Sequence, residues 1–176
     1  MNWAVHNVYR FNKDGKINLL LQYYDDDIFN EINNSSRTIE NGIVYINHPY
    51  IVTVRKLANA YCEENIDAML ELYAPDAMFT KSNFKTGEYY GLEAKKKEFK
   101  ETFAYFDNIT LTQVGYPDCL YYEKNDSYVV YSWWSLSCVT KEGKKFSKIP
   151  VMMANTFNKE GKIITEEVYS STNHFQ

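Results

Sequence analysis

Residues 127–140, SYVVYSWWSLSCVT, then 141–145, KEGKK, then 146–171, FSKIPVMMANTFNKEGKIITEEVYSS, decide the fold. Val, Ile, Tyr, Trp, Phe and Thr dominate the runs, and such side chains suit a pleated, half-buried surface. Two tight turns divide the stretch, Lys141-Glu142-Gly143-Lys144 and Asn158-Lys159-Glu160-Gly161, each with Gly where the backbone needs a positive φ. The reading is three long consecutive antiparallel strands. A meander of this length curls, and one of its faces must be covered by apolar groups from elsewhere in the chain.

The cover lies upstream. Around His48-Pro49 the period changes, and Val52, Leu57, Ala60 and Tyr61 recur at helical spacing through Glu64, with Pro49 suited to a first turn. A second short helix is expected from Ile66 to Tyr73, stopped by Pro75. Ala77 to Thr80 reads as a strand and Gly87 to Gly91 as a turn. Glu93 to Tyr105 reads as a third helix, with Ala94, Phe99, Phe103 and Phe106 apolar. Ile109 to Glu123 returns to strand character, broken at Gly115 and Pro117. The expected class is α+β: a curved antiparallel sheet with helices packed on its concave face, a cone-like α+β barrel.

Composition bounds the function. With 176 residues, 45% hydrophobic and 16% aromatic, the chain can bury a core, which excludes wholesale disorder. Net charge is −4, and Lys95, Lys96, Lys97 and Lys100 alternate with Glu93, Glu98 and Glu101, which reads as a solvated helix face. Nucleic acid is therefore not an expected partner. Cys62, Cys119 and Cys138 are odd in number and lack C-x-x-C spacing, so neither a disulfide framework nor a zinc site is expected. No secretory leader pattern opens the chain and no apolar run approaches a bilayer span, so the expectation is a cytoplasmic protein with no membrane partner.

The N-terminus repeats the C-terminus. Phe11-Asn12-Lys13-Asp14-Gly15-Lys16-Ile17 matches Phe157-Asn158-Lys159-Glu160-Gly161-Lys162-Ile163 at an offset of 146 (157 − 11), and the same offset pairs Val5 with Val151, Tyr23 with Tyr169 and Phe29 with Phe175. Residues 3–24 read as a second copy of the terminal hairpin. Such a hairpin is marginal alone, so it needs a sheet edge, a partner chain or a longer tandem protein. The expected organisation is 1–32, the hairpin of a preceding copy; 33–48, a linker opened by Asn33-Asn34-Ser35-Ser36 and holding a short strand at Ile43 to Ile46; and 49–176, the main domain.

The run from Ala60-Tyr61 through Asn65-Ile66-Asp67-Ala68-Met69 to Leu72-Tyr73-Ala74-Pro75-Asp76-Ala77-Met78-Phe79, then Gly91 before a helix, then Phe157 to Ile163, resembles the nuclear transport factor 2-like superfamily, in its SnoaL-like branch. The resemblance implies a cone enclosing an apolar pocket, and commonly a homodimer through the outer sheet face. A fold of this breadth does not imply one activity. The steroid isomerases of this superfamily need a carboxylate base, a tyrosine and a protonated carboxylic acid. Matched motif by motif, those positions fall on Lys81 (with Ser82 next), Leu57 and Met153, so steroid-type isomerisation is disfavoured.

Inward side chains follow from the turn. If Glu142-Gly143 centres the hairpin, Val151 faces Trp134 and Met153 faces Ser132. On the terminal strand, the match to the isomerase pattern of the resembled family implies that Ile164, Glu166, Val168 and Ser170 point inward, with Tyr131, Trp133, Thr165, Glu167 and Tyr169 outward. The implied ligand pocket comprises Tyr61, Phe79, Phe103, Trp134, Val151, Met153, Asn155, Glu166 and Val168. An inward Glu166 in apolar surroundings would have a raised pKa and could serve as a base; at the pocket mouth it would be a solvated glutamate. Asp76 suits a turn cap, and His6, His48 and His174 suit surface or capping positions, with no metal-ligand spacing.

Three functions remain open. One is a binder of a small apolar ligand, without cofactor. Another is a SnoaL-type cyclase, isomerase or hydratase using Glu166 and Tyr61. The third is a dimerising interaction module through Tyr131, Trp133 and Tyr169.

Overall fold

The structure, a computed structural model, describes residues 6–23 and 48–170. The chain divides into two compact units between Gly42 and Ile43. His174, Phe175, Phe29, the strand expected at Ile43 to Ile46 and nearly all of the 33–48 linker lie outside the described residues.

In the first unit, β1 (His6–Phe11) and β2 (Ile17–Tyr23) form an antiparallel hairpin. The Asn12 side chain accepts from the Lys16 N–H at 2.9 Å, Gly15 N–H bonds to Asn12 O at 3.1 Å, and Gly15 has φ +73°. The register breaks between Arg10 and Phe11, with Phe11 opposite Ile17.

The second unit begins with α1 (Pro49–Cys62), whose N-cap is His48: its Nδ1 accepts from Tyr50 N–H at 3.3 Å. Pro49 occupies the first turn, where its missing N–H has no helical partner to lose. The buried stripe is Ile51, Val54, Leu57, Ala58 and Ala60, so Leu57 and Ala60 face the core as expected while Val52 is exposed. After α2 (Ile66–Leu70), capped by Asn65, the chain enters β3 (Tyr73–Lys81). The second helix therefore stops three residues earlier than the sequence reading. Leu72 O accepts from Ile163 N–H at 2.9 Å, which draws Tyr73 into the sheet. Pro75, lacking a donor, sits in the irregular stretch between Tyr73 and Met78.

β4 (Tyr90–Gly91) leads into α3 (Leu92–Tyr105), and then β5 (Phe106–Gln113), β6 (Asp118–Tyr122), β7 (Ser127–Thr140), β8 (Lys145–Phe157) and β9 (Ile163–Ser170) complete the unit. The sheet order is β4-β3-β9-β8-β7-β5, with β6 also on β7. The class is α+β as read from the sequence, but the sheet is open and mixed: β3 and β9 run parallel, and the other pairs antiparallel. No barrel closes among the described residues, because β4 and β5 end the ladder without meeting.

Trp134 pairs with Val151 and Ser132 with Met153, as the turn implies. Closer to the turn the ladder shifts by one, Cys138 opposite Phe146, and a bulge at Lys148 (φ +57°) absorbs the difference. A second bulge between Thr156 and Phe157 sets Ile163, not Ile164, opposite Phe157, so Ile163 is fully buried while Ile164 is only half-buried. Such bulges bend the strands and give the sheet its cupped face. This β8–β9 hairpin repeats β1–β2 in detail: Asn158 accepts from Lys162 N–H at 2.9 Å, Gly161 has φ +79°, and the break falls at the equivalent position. Among the described residues, no helix is long and apolar enough to cross a membrane.

Candidate functional site

The concave face of the sheet, with α1 and α3, encloses a cavity of about 340 Å3. Leu57, Ala58 and Tyr61 of α1, Phe99 of α3, and Val151, Met153 and Val168 of the sheet supply most of its wall. Alternation along β8 and β9 decides this. Every second residue faces inward, so Glu166, Val168 and Ser170 line the cavity while Glu167 and Tyr169 line a more open hollow on the opposite face.

The wall carries a linked set of charges. Glu166, only 3% exposed, accepts from the Tyr73 hydroxyl at 2.7 Å and from Asn155 Nδ2 at 3.2 Å, both on Oε2. Its Oε1 lies 3.0 Å from the ammonium of Lys95, itself 5% exposed. Lys95 also lies 3.7 Å from Glu98, which pairs with Lys81 at 2.8 Å and accepts from the Tyr90 hydroxyl at 2.7 Å. The Lys95 ammonium sits over the rings of Phe99 (4.9 Å) and Phe79 (5.3 Å), which adds cation–π attraction.

Lys95 and Glu98 overturn the reading of this helix as a wholly solvated charge run. Lys95, Phe99 and Phe103 recur at i, i+4 and i+8 and form the buried stripe of α3. That spacing was the available signal, with Glu98 one turn from Lys95. Lys96, Lys97 and Lys100 do keep to the outer side of the helix. Buried charge of this kind persists only when paired and hydrogen-bonded. Glu166 is thus neither the solvated glutamate at the pocket mouth nor the carboxylate in purely apolar surroundings that the sequence left open.

Protonation follows the burial. Burial pushes the Tyr73, Tyr61 and Tyr90 phenols well above their usual range, with the carboxylates of Glu166 and Glu98 adding to it. Burial also works to raise Glu98, but Lys95, Lys81 and the Tyr90 hydroxyl together outweigh it and hold that carboxyl below its ordinary value. At neutral pH the cavity presents neutral phenols beside an ionised Glu98.

Of the nine residues assigned to ligand binding, Tyr61, Val151, Met153, Glu166 and Val168 line the cavity. The other four lie behind the wall. Phe79 is fully buried against Tyr73 (5.0 Å between ring centroids), Phe103 packs on Tyr61 at 5.3 Å, Trp134 donates to Ser132 Oγ at 2.9 Å, and Asn155 braces Glu166 from beneath. The tyrosine bonded to Glu166 is Tyr73, with Tyr61 elsewhere in the wall. Sequence reasoning missed Tyr73, Lys95 and Glu98. Lys81, Leu57 and Met153, the positions matched to the isomerase triad, all line the cavity. Asp76 is exposed in β3, and His48 serves as the helix cap. Among the described residues no group of three His, Cys, Asp or Glu could hold a metal ion.

An open, cupped α+β sheet roofed by helices over a cavity defines the class. Residues 54–166 match the model of the SnoaL-like domain, and the chain belongs to that family. Solved structures agree on the fold. BvnE pinacolase from Penicillium brevicompactum superposes with a TM-score of 0.58 at 16% identity, covering 72% of this chain and 88% of that one. IdmH, a putative polyketide cyclase from Streptomyces antibioticus, gives 0.56 at 17% identity, over 72% and 95% of the two chains. An NTF2-like protein of unknown function from Exiguobacterium sp. 255-15 gives 0.53 at 16%, over 68% and 98%. No curated protein matches the chain.

Proposed function

We propose that the domain binds a small molecule with an apolar body and one polar end. The observation that carries this reading is the cavity itself: about 340 Å3, walled mostly by Leu, Val, Met and aromatic side chains, with one linked charge cluster, Lys81–Glu98–Lys95–Glu166. Ligand pockets typically have roughly 300–1,000 Å3 with apolar walls and a few convergent polar groups. The test is calorimetric titration of the purified protein with a panel of apolar and aromatic compounds bearing single polar groups. Saturable binding that Val168→Trp abolishes without unfolding the domain is the expected result; no binding across the panel removes the reading.

A second reading, acid–base catalysis on the bound molecule, draws on one specific observation. Glu166 lies within hydrogen-bond reach of both the Tyr73 hydroxyl and the Lys95 ammonium at the cavity wall. Glu166 would take a proton, and Lys95 would stabilise negative charge developing on a ligand oxygen. The pinacolase and the putative polyketide cyclase of like fold are compatible with this at 16% and 17% identity, without fixing a reaction. Turnover of an identified substrate that survives Glu166→Gln undiminished would end it.

Two further proposals concern assembly. The outer sheet face presents Trp133 (38% exposed) and Tyr169 (47% exposed) beside the hollow lined by Tyr131, Met152 and Glu167, which supports pairing with a second copy. A monomer at micromolar concentration in sedimentation would count against it. The matched turn, register and bulge of β1–β2 and β8–β9 support duplication of the terminal hairpin. Grafting residues 5–23 over 151–169 while retaining Glu166 should keep cooperative unfolding if the two are equivalent, and loss of folding would speak against it.

A further inference from the structure

We infer that the cavity selects an uncharged ligand, a ketone or an alcohol, and that Glu98 and Lys81 set this selectivity; the inference rests on the binding reading above. The charge cluster on the wall is balanced. It holds two ammonium groups, Lys81 and Lys95, and two carboxylates, Glu98 and Glu166, linked as Lys81–Glu98 at 2.8 Å, Lys95–Glu98 at 3.7 Å and Lys95–Glu166 at 3.0 Å. The other titratable groups around it carry no charge at neutral pH. Burial raises the phenols of Tyr61, Tyr73 and Tyr90, and burial likewise raises the thiols of Cys62 and Cys138, which act on Tyr61.

Each cation in the cluster already has an opposite partner, and so does each anion. An anionic ligand must therefore draw Lys81 from Glu98, or Lys95 from Glu166, and leave a carboxylate facing it in a partly dehydrated space. A cationic ligand meets the mirror-image problem with the two lysines. An uncharged oxygen meets neither. An ammonium has three donors, and Lys95 turns toward two carboxylates, so a third N–H suits a carbonyl or hydroxyl oxygen. Glu166 takes Tyr73 and Asn155 on Oε2 and Lys95 on Oε1. A carboxylate offers about four lone-pair sites, so Oε1 can still accept from an alcohol. The walls of Leu57, Val151 and Val168 receive the hydrocarbon body.

Glu98 and Lys81 are the adjustable half of the cluster. Their side chains remain about a third exposed, 31% and 35%, whereas those of Lys95 and Glu166 are 6% and 4% exposed. Changing the outer pair alters the net charge seen by a ligand without uncovering the inner one. Glu98→Gln leaves an excess positive charge, and Lys81→Met an excess negative one.

The experiment titrates four naphthyl probes of matched size, 2-acetylnaphthalene, 1-(2-naphthyl)ethanol, 2-naphthoate and 2-naphthylmethylammonium, into the unmodified protein and both variants at neutral pH. Ketone and alcohol should bind the unmodified protein at least about tenfold tighter than either ion. Glu98→Gln should raise the naphthoate-to-ketone affinity ratio about tenfold, and Lys81→Met should do the same for the ammonium probe. A preference of the unmodified protein for either ion overturns the inference, and this ranking decides even where a variant does not fold. A folded Glu98→Gln protein with an unchanged ratio also overturns it. Failure of all four probes on all three proteins would instead strike the binding reading, and this selectivity with it.

Discussion

The two faces of one sheet carry the same residue types side by side and use them differently. Glu166 and Glu167 are neighbours on β9: the first is buried against Lys95, Tyr73 and Asn155, and the second bonds to the Tyr169 hydroxyl at 2.9 Å on the outer face. Trp134 is buried while Trp133 is exposed, and Met153 lines the cavity while Met152 lines the outer hollow. Residue type therefore says little here. Parity along the strand, set by the turn and the bulge beside it, decides which glutamate becomes part of a site.

The largest expected effect breaks the inner face. Lys95→Met leaves Glu166 buried without its cation, and removing one partner of such a pair costs about 3–5 kcal/mol. The double variant Lys95→Met, Glu166→Leu should recover much of that loss, since an apolar pair of similar volume tolerates the site better than an orphaned charge. Chemical denaturation of the single and double variants measures both. The outer-face control Glu167→Gln should stay within about 0.5 kcal/mol of the parent. Equal losses on the two faces would erase the distinction.

A smaller effect compares the two hairpins. Gly161 has φ +79°, and a Cβ there would stand 3.3 Å from Cε1 of Tyr50, a ring that stacks on Phe157 with centroids 4.4 Å apart. Gly161→Ala should therefore cost about 1–3 kcal/mol, from left-handed strain and from moving that ring. Gly15 shares the backbone angle, φ +73°, but among the described residues nothing beyond its chain neighbours lies within 4 Å of the equivalent position. Gly15→Ala should therefore cost only the strain of the turn, less than Gly161→Ala, in the same denaturation measurement.

These contrasts mark what the sequence could reveal. The first glycine turn, with alternation, was enough to place Trp134 opposite Val151, while the inward Glu166 came from the family resemblance. The bulges at Lys148 and between Thr156 and Phe157 left no local mark, because they arise where strands of unequal length are reconciled across the sheet. So the exchange of Ile163 for Ile164 was invisible. Lys95 was legible in its spacing with Phe99 and Phe103, but its neighbours Lys96 and Lys97 disguised it as part of a solvated run. Tyr73 was hidden differently. Its role depends on parallel pairing with β9, a contact some ninety residues away that no local pattern predicts.

The finest test of the two faces is acid titration. Glu98 is held below its ordinary value in the fold, where burial opposes ionisation but Lys95, Lys81 and Tyr90 favour it more. A carboxyl with a depressed native pKa binds fewer protons folded than unfolded. Its contribution to stability is therefore present above the unfolded value, 4.5, and is lost as pH falls through the lower native value. Melting temperature should fall across that acid window, and Glu98→Gln should make the slope shallower there while leaving the shape near neutrality unchanged. Because Glu98 keeps about a third of its surface in water, solvent screening makes the change modest. Trp133→Ala, on the opposite face, should leave the acid slope as it is. An identical slope in the Glu98→Gln protein would mean that the outer ion pair contributes nothing, and that Lys95 and Glu166 alone organise the charges of the cavity.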